Sequence, residues 1–174
     1  MNSIKQIEVI YNNRLVGRLA LTREGLCAFE YSAEWLSSGF SISPFELPLR
    51  SGVFIAKPRP FEGGFGVFDD CLPDGWGLLI LDRYLQQKGI NPRTLTLLDR
   101  LALVGSTGRG ALEFRPDNSV VTRQDFADFE KLALEAEKIL ASDDYMGEGI
   151  EEFQDRGGSP GGARPKIFVR YNDK

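Results

Sequence analysis

The fold is constrained first by an alternating pattern of apolar residues, repeated three times near the start of the chain. Ile7, Val9 and Tyr11 alternate with polar neighbours, and Asn12-Asn13 forms a tight-turn pair. Leu15, Gly17, Leu19 and Leu21 then alternate again. After the turn Arg23-Glu24-Gly25, the pattern returns in Cys27, Phe29 and Tyr31. A period of two sends successive side chains to opposite faces, so these segments predict three short strands in an antiparallel meander with one buried face. That face needs a covering layer or closure of the sheet. The expected class is α+β, with a barrel-like, antiparallel β-rich N-terminal subdomain and packed helices.

Beyond the meander, Ser32 to Ser38 reads as a short helical turn carrying Trp35 and Leu36. Pro44, Pro48, Pro58 and Pro60 exclude a long helix over residues 39–60 and leave short extended pieces such as Val53-Phe54-Ile55. Asp74 is placed to cap a helix in which Trp76, Leu79, Ile80 and Tyr84 recur at helical spacing, with Gly89 as its stop. Asn91 and Pro92 predict a second helix through Leu95, Leu98, Leu101 and Ala102, ended by Gly105, with a strand from Ala111 to Arg115. A third helix is predicted from about Arg123 to Ala141, opened by Thr122 and Asp125. Its apolar stripe is Phe126, Phe129, Leu132, Ala133, Ala136, Ile139 and Leu140.

Composition removes several kinds of chemistry. The chain contains no histidine, so no catalytic scheme that depends on imidazole is available. Cys27 and Cys71 alone make neither a zinc site nor a disulfide framework, and they read as reduced thiols of a cytoplasmic protein. The longest apolar runs, such as Leu78 to Leu81, fall far short of the roughly 20 residues that span a bilayer, and no membrane association is expected. A net charge of −4 argues against direct binding of nucleic acid. The charge is uneven. Residues 139–155 carry six acidic side chains and no Lys or Arg, and read as an acidic linker. Residues 156–174 carry Arg156, Arg164, Lys166, Arg170 and Lys174 against Asp173. A length of 174 residues fits one domain and a fraction.

Two Gly-rich loops remain. Gly105-Ser106-Thr107-Gly108-Arg109-Gly110 lies between a helix and a strand, the reverse of P-loop order, and reads as a helix stop and turn. Gly157-Gly158-Ser159-Pro160-Gly161-Gly162-Ala163-Arg164-Pro165-Lys166 precedes a predicted strand, Ile167 to Tyr171. Consecutive glycines let backbone N–H groups approach an anion, Lys166 adds a point charge, and the Arg164 guanidinium can fork onto a phosphate. Composition leaves two readings open, a flexible basic linker and a phosphate-binding loop.

The string Gly161-Gly162-Ala163-Arg164-Pro165-Lys166, with Ser159 ahead of it, resembles the phosphate-loop motif of HipA-type serine/threonine kinases, the toxins of bacterial toxin–antitoxin pairs. Other pieces resemble the family in the same order. They are Val9-Ile10-Tyr11 with Val16-Gly17-Arg18-Leu19, Phe29-Glu30-Tyr31 with Trp35-Leu36, Ile42-Ser43, and Leu47-Pro48-Leu49. Leu72-Pro73-Asp74-Gly75 and Leu103-Val104-Gly105 with Gly110-Ala111-Leu112 continue the series. The resemblance implies that residues 1–115 form the family's N-terminal β-rich subdomain. Residues 116–174 would then be a helix, the acidic linker, the phosphate loop and the first strand of a truncated kinase lobe.

It further implies that Gly161, Gly162, Ala163, Arg164 and Lys166 lie at ATP phosphates, and that Ser159 is a regulatory autophosphorylation site. ATP and magnesium would be cofactors of the complete kinase. Its partners would be a DNA-binding HipB-like antitoxin and a protein substrate such as an aminoacyl-tRNA synthetase. The Lys, catalytic Asp, Asn and metal-binding Asp of a kinase lie downstream of this loop in the family, so no catalytic or metal-binding residue is nominated here. The Asp69, Asp70 and Asp74 cluster reads as a solvated turn with a helix cap. The expectation is the N-terminal part of such a kinase, inactive by itself. The alternative is a free-standing interaction module acting as an antitoxin or regulator of a separate kinase chain.

Overall fold

The structure is a computed structural model that describes residues 3–108, 110–119, 129–142, 145–147, 149–155 and 162–166. The chain forms two compact units, residues 1–72 with 95–119 and residues 73–94 with 120–174. The segment from Pro73 to Thr94 thus belongs with the C-terminal part of the chain, although in sequence it interrupts the first unit.

The first unit is built on the predicted meander. Strands β1 (Gln6–Tyr11), β2 (Arg14–Leu21) and β3 (Cys27–Tyr31) pair antiparallel in sequence order. Asn12 and Asn13 both adopt positive φ, at 46° and 61°. This is the backbone twist that a two-residue hairpin needs, and asparagine tolerates it. Strand β4 (Val53–Ile55) adds to β3, and β5 (Leu112–Arg115) adds to β1, giving the order β4-β3-β2-β1-β5. The register shifts between Val9 and Ile10, leaving Val16 as the extra residue on β2.

The two faces of this sheet differ sharply. One presents the cross-strand rows Phe54–Phe29–Leu19–Ile7 and Tyr31–Gly17–Val9–Phe114. These face a layer of Trp35 from α1 (Ala33–Ser38), Phe65 and Phe68 at α2 (Gly66–Asp69), and Leu98, Leu101 and Val104 from α4 (Leu97–Val104). At roughly 1.5–3 kcal/mol for each large apolar side chain buried, this one-sided core dominates the stability of the unit. Gly17 is required where it stands, because a Cβ there would overlap the Glu30 carbonyl and the ring of Phe29. The opposite face carries the row Glu30–Arg18–Glu8–Arg115, alternating in sign across four strands, with Arg18 Nη2 3.5 Å from Glu8 Oε1.

The sheet is therefore open, not barrel-like. Helices cover the apolar face and water solvates the charged one, so neither face calls for closure. The terminal strands β4 and β5 lie at opposite edges. The Pro-rich segment after α1 is tied down by polar contacts. The Tyr31 hydroxyl donates to the Leu47 carbonyl (2.6 Å) and accepts from Ile42 N–H (3.1 Å), while Trp35 Nε1 donates to the Phe40 carbonyl (2.8 Å).

The helix predicted from Asn91 to Gly105 is two pieces, a 3₁₀ turn (Pro92–Thr94) and α4. Thr96 restarts the helix. Its hydroxyl accepts from Asp99 N–H, and the Asp99 carboxylate accepts from Thr96 N–H, a reciprocal capping box. Asp99 is buried and also accepts Ile4 N–H (2.9 Å), which ties the N-terminus to α4. Gly105 follows α4 at φ 53° and Phe114 N–H donates to its carbonyl (3.1 Å), so Gly105 does act as a helix stop ahead of β5.

The second unit contains α3 (Gly75–Gln87), the 3₁₀ turn, α5 (Phe129–Ala141) and α6 (Gly149–Asp155). Its core joins Trp76 and Ile80 to Leu132, Ala136 and Ile139 and to Ile150 and Phe153, with the Trp76 and Phe153 rings edge to face at 5.1 Å. The apolar stripe of α5 is narrower than predicted, since Ala133 and Leu140 are exposed. The proposed Thr122–Asp125 cap and Phe126 lie outside the described residues, as does the strand predicted at Ile167 to Tyr171. The acidic stretch is folded in part: α6 buries Ile150 and Phe153 and turns its carboxylates to cations, Glu151 to Lys88 (2.6 Å) and Glu152 to Lys131 (3.8 Å). The guanidinium of buried Arg83 donates to the Ile139 carbonyl (2.6 Å) in the last turn of α5.

Candidate functional site

Two motifs singled out in the sequence meet in the second unit, Asp74 and Gly75 of Leu72-Pro73-Asp74-Gly75 and Gly162 of the Gly-rich string ending at Lys166. Asp74 is the N-terminal cap residue of α3, yet its side chain makes no capping bond within the helix. Instead its Oδ1 accepts the Gly162 N–H at 3.3 Å, across 88 positions of sequence. The Gly162 carbonyl in turn accepts the N–H of Trp76 at 2.9 Å. The first backbone donors of any helix lack partners within it. Here a glycine of the loop supplies one.

Glycine is needed on both sides of this contact. Gly75 has φ 43°, and a Cβ on it would stand 2.5 Å from the Gly162 carbonyl oxygen and 2.9 Å from Ala163 N. Gly162 has φ 88°, and a Cβ on it would stand 3.0 Å from Lys166 Nζ. The loop thus curls so that the Lys166 ammonium lies beside the Gly162 backbone. Gly162, Ala163, Arg164 and Lys166 are all exposed, whereas Trp76, one residue past the contact, is buried in the core of the unit. The result is an exposed, glycine-containing turn with two cationic side chains, held at the start of α3 by two hydrogen bonds.

That arrangement suits an anion. Small residues leave the backbone approachable, and Arg164 and Lys166 supply positive charge. The carboxylate of Asp74, itself an anion, already engages one loop N–H. Of the residues predicted for the phosphate loop, the structure brings Gly162, Ala163, Arg164 and Lys166 together, while Gly161 and Ser159 lie outside the described residues. Asp69 and Asp70 belong to the first unit and Asp74 to the second, so the aspartate cluster is divided. Burial raises the Asp69 carboxyl above its ordinary value, with the charges of Asp70 and Glu62 adding to the effect. No group of three or more His, Cys, Asp or Glu side chains is arranged for a metal ion among the described residues. No helix among them is long and apolar enough to cross a membrane.

Two participants were not read as site residues from the sequence. Asp74 was assigned only a capping role and Trp76 only a place on an apolar face. Asp74 was marked by its place in the Leu72-Pro73-Asp74-Gly75 turn, whereas Trp76, one residue beyond that turn, carried no such signal.

Comparison with known proteins gives one family. The model of the HipA N-terminal domain matches residues 7–115, well over half of the chain, from β1 through the end of β5. No match was found among curated proteins. With its sheet, its helical layer and the turn that opens α3 all inside the matched span, the chain belongs to the HipA N-terminal domain family.

Proposed function

We propose that this chain is the N-terminal portion of a HipA-like serine/threonine kinase toxin, supplying the ATP phosphate loop but not the catalytic residues. The observation that carries this reading is the pair of hydrogen bonds made by the Gly162 backbone, whose N–H donates to the Asp74 carboxylate and whose carbonyl accepts from Trp76 N–H. A mere linker has no reason to be held by two glycines of matching shape, whereas a phosphate loop needs a fixed base from which to present its backbone. Gly161, Gly162, Ala163, Arg164 and Lys166 would hold the phosphates of ATP, with magnesium, in the complete kinase. ATP supplies the phosphoryl group for transfer. Arg164 and Lys166 balance phosphate charge, and Ser159 is the acceptor through which the loop is switched off. An aminoacyl-tRNA synthetase as substrate and a HipB-like antitoxin as partner follow from the same reading.

A second reading is a free-standing module that regulates a separate kinase chain. It is favoured by the start of α3, where exposed Asp74 and Gly75 and the Trp76 N–H hold a glycine backbone that a loop of another chain can equally supply. One experiment separates the two. The chain is mixed with a HipA-type kinase lacking its own N-terminal portion, and with the same kinase intact, in radiolabelled ATP. The first reading expects label only when the chain completes the shortened kinase, and loss of that label in Ser159→Ala. The module reading expects the intact kinase to lose activity. Label on the chain alone contradicts both.

A further inference from the structure

The start of α3 is capped from outside the helix, and its own cap is turned away. The first N–H groups of a helix find no acceptor within it, and an aspartate at the cap position ordinarily accepts the N–H two or three residues on. Asp74 stands at that position in extended backbone, φ −118° and ψ 169°, as a cap residue does. Yet its carboxylate makes no capping bond to the helix and accepts the Gly162 N–H instead. The Trp76 N–H goes to the Gly162 carbonyl. The N–H of Gly77, a buried residue three positions past Asp74, has no acceptor among the described residues. The loop thus satisfies one donor of the first turn and diverts the group suited to satisfy the next.

Gly75 makes a second arrangement reachable. Its φ of 43° lies outside the helical range, although it is the first residue of α3. Glycine moves between positive and helical φ at little cost. With Gly75 at a helical φ, the first turn takes its ordinary form, which brings the cap side chain within reach of the N–H three residues on. Here that N–H belongs to Gly77.

We infer that Asp74 is the moving part of a two-position switch. With the loop seated, its carboxylate holds the Gly162 N–H. When the loop lifts, Gly75 relaxes, and the carboxylate turns inward to cap α3 at Gly77. The start of α3 is then capped in both positions, by the loop in one and by Asp74 in the other. No nucleotide takes part, so the switch stands or falls separately from binding of ATP at the loop.

The test is amide exchange by nuclear magnetic resonance on the full chain without ligand. Gly162→Pro removes the N–H that Asp74 accepts and cannot adopt φ 88°, so it unseats the loop without altering α3. Trp76 exchange is expected to rise as its acceptor leaves, while Gly77 exchange slows about fivefold, the worth of one helix cap. Adding Asp74→Ala abolishes the slowing. Adding Asp74→Asn keeps it, since asparagine caps a helix as well as aspartate does. Gly75→Ala lifts the loop from the helix side, gives the same slowing at Gly77, and decides the matter if Gly162→Pro does not fold. The proposal is overturned if Gly77 exchange is unchanged or faster once the loop is unseated. It is equally overturned if the slowing persists when Asp74→Ala is added.

Discussion

Replacing Gly75 with alanine tests the join between α3 and the Gly-rich loop. At φ 43° any L side chain is strained, by about 1–2 kcal/mol. The larger effect is local. The new Cβ would stand 2.5 Å from the Gly162 oxygen and 2.6 Å from its carbonyl carbon, both backbone atoms that no rotamer change can move. The loop must lift, losing the bond from Trp76 N–H and the bond to the Asp74 carboxylate. At ~1 kcal/mol each, these two bonds hold the loop down by ~2 kcal/mol. Their loss exposes the Trp76 amide about 30-fold more often, since 1.4 kcal/mol is a factor of ten.

Gly89→Ala is the matched control. Gly89 follows α3 at its other end with φ 72°, and a Cβ there would meet nothing within 4 Å. It carries the strain without the collision. Amide exchange of Trp76 by nuclear magnetic resonance is the assay, because that N–H has the loop carbonyl as its acceptor. Exchange is expected to rise about 30-fold in Gly75→Ala and to stay near the wild-type rate in Gly89→Ala. Equal rates in the two variants would refute the collision argument and leave only backbone strain.

Other outcomes follow from the same structure. Asp99→Ala removes acceptors for Thr96 and Ile4 from a buried site, so the first unit loses about 2–4 kcal/mol in urea titration, more than a surface cap would. Arg83→Met leaves the Ile139 carbonyl without its buried donor and lowers the stability of the second unit by ~2 kcal/mol, read from the melting of α5. Burial alone would raise the Asp117 carboxyl, but hydrogen bonds from Ser106 and Ser119 outweigh it and hold it below the ordinary 3.8. A carboxyl lowered in the folded state stabilises it above that ordinary value, and the contribution fades as pH falls through the lowered one. Asp117→Asn therefore flattens the acid limb of the stability curve below about pH 4. Burial pushes the Cys27 thiol up to about 11, so it resists a thiol reagent at pH 8 until denaturant is added.

The parts of the fold legible in the sequence are those fixed by neighbours along the chain. The period-two pattern from Ile7 to Tyr31, the Asn12-Asn13 turn and the glycines at 89 and 105 each act over a few residues, and the structure follows them. The open sheet was not legible, because openness depends on what covers each face. The layer of Phe65, Phe68, Leu98 and Leu101 is assembled from distant segments. The break between the 3₁₀ turn and α4 was written in Thr96 and Asp99, but the apolar spacing across it masked the restart. The acidic stretch reads as a linker by charge, and the burial of Ile150 and Phe153 shows that it folds in part. At the candidate site the loop was legible from its glycines and cations, while its seat on Asp74 and Trp76 was not, since a contact across 88 positions leaves no periodic trace.

We propose that the turn from Gly162 to Lys166 is a phosphate loop seated on the start of α3. The most direct measurement is a backbone amide spectrum of the chain titrated with magnesium-ATP and, separately, with adenosine. At about 10 mM ligand a contact worth only ~3 kcal/mol registers. The account predicts shifts at Gly162, Ala163, Arg164 and Lys166 with ATP and none with adenosine. Unmoved loop amides, or the same shifts with both ligands, would contradict it.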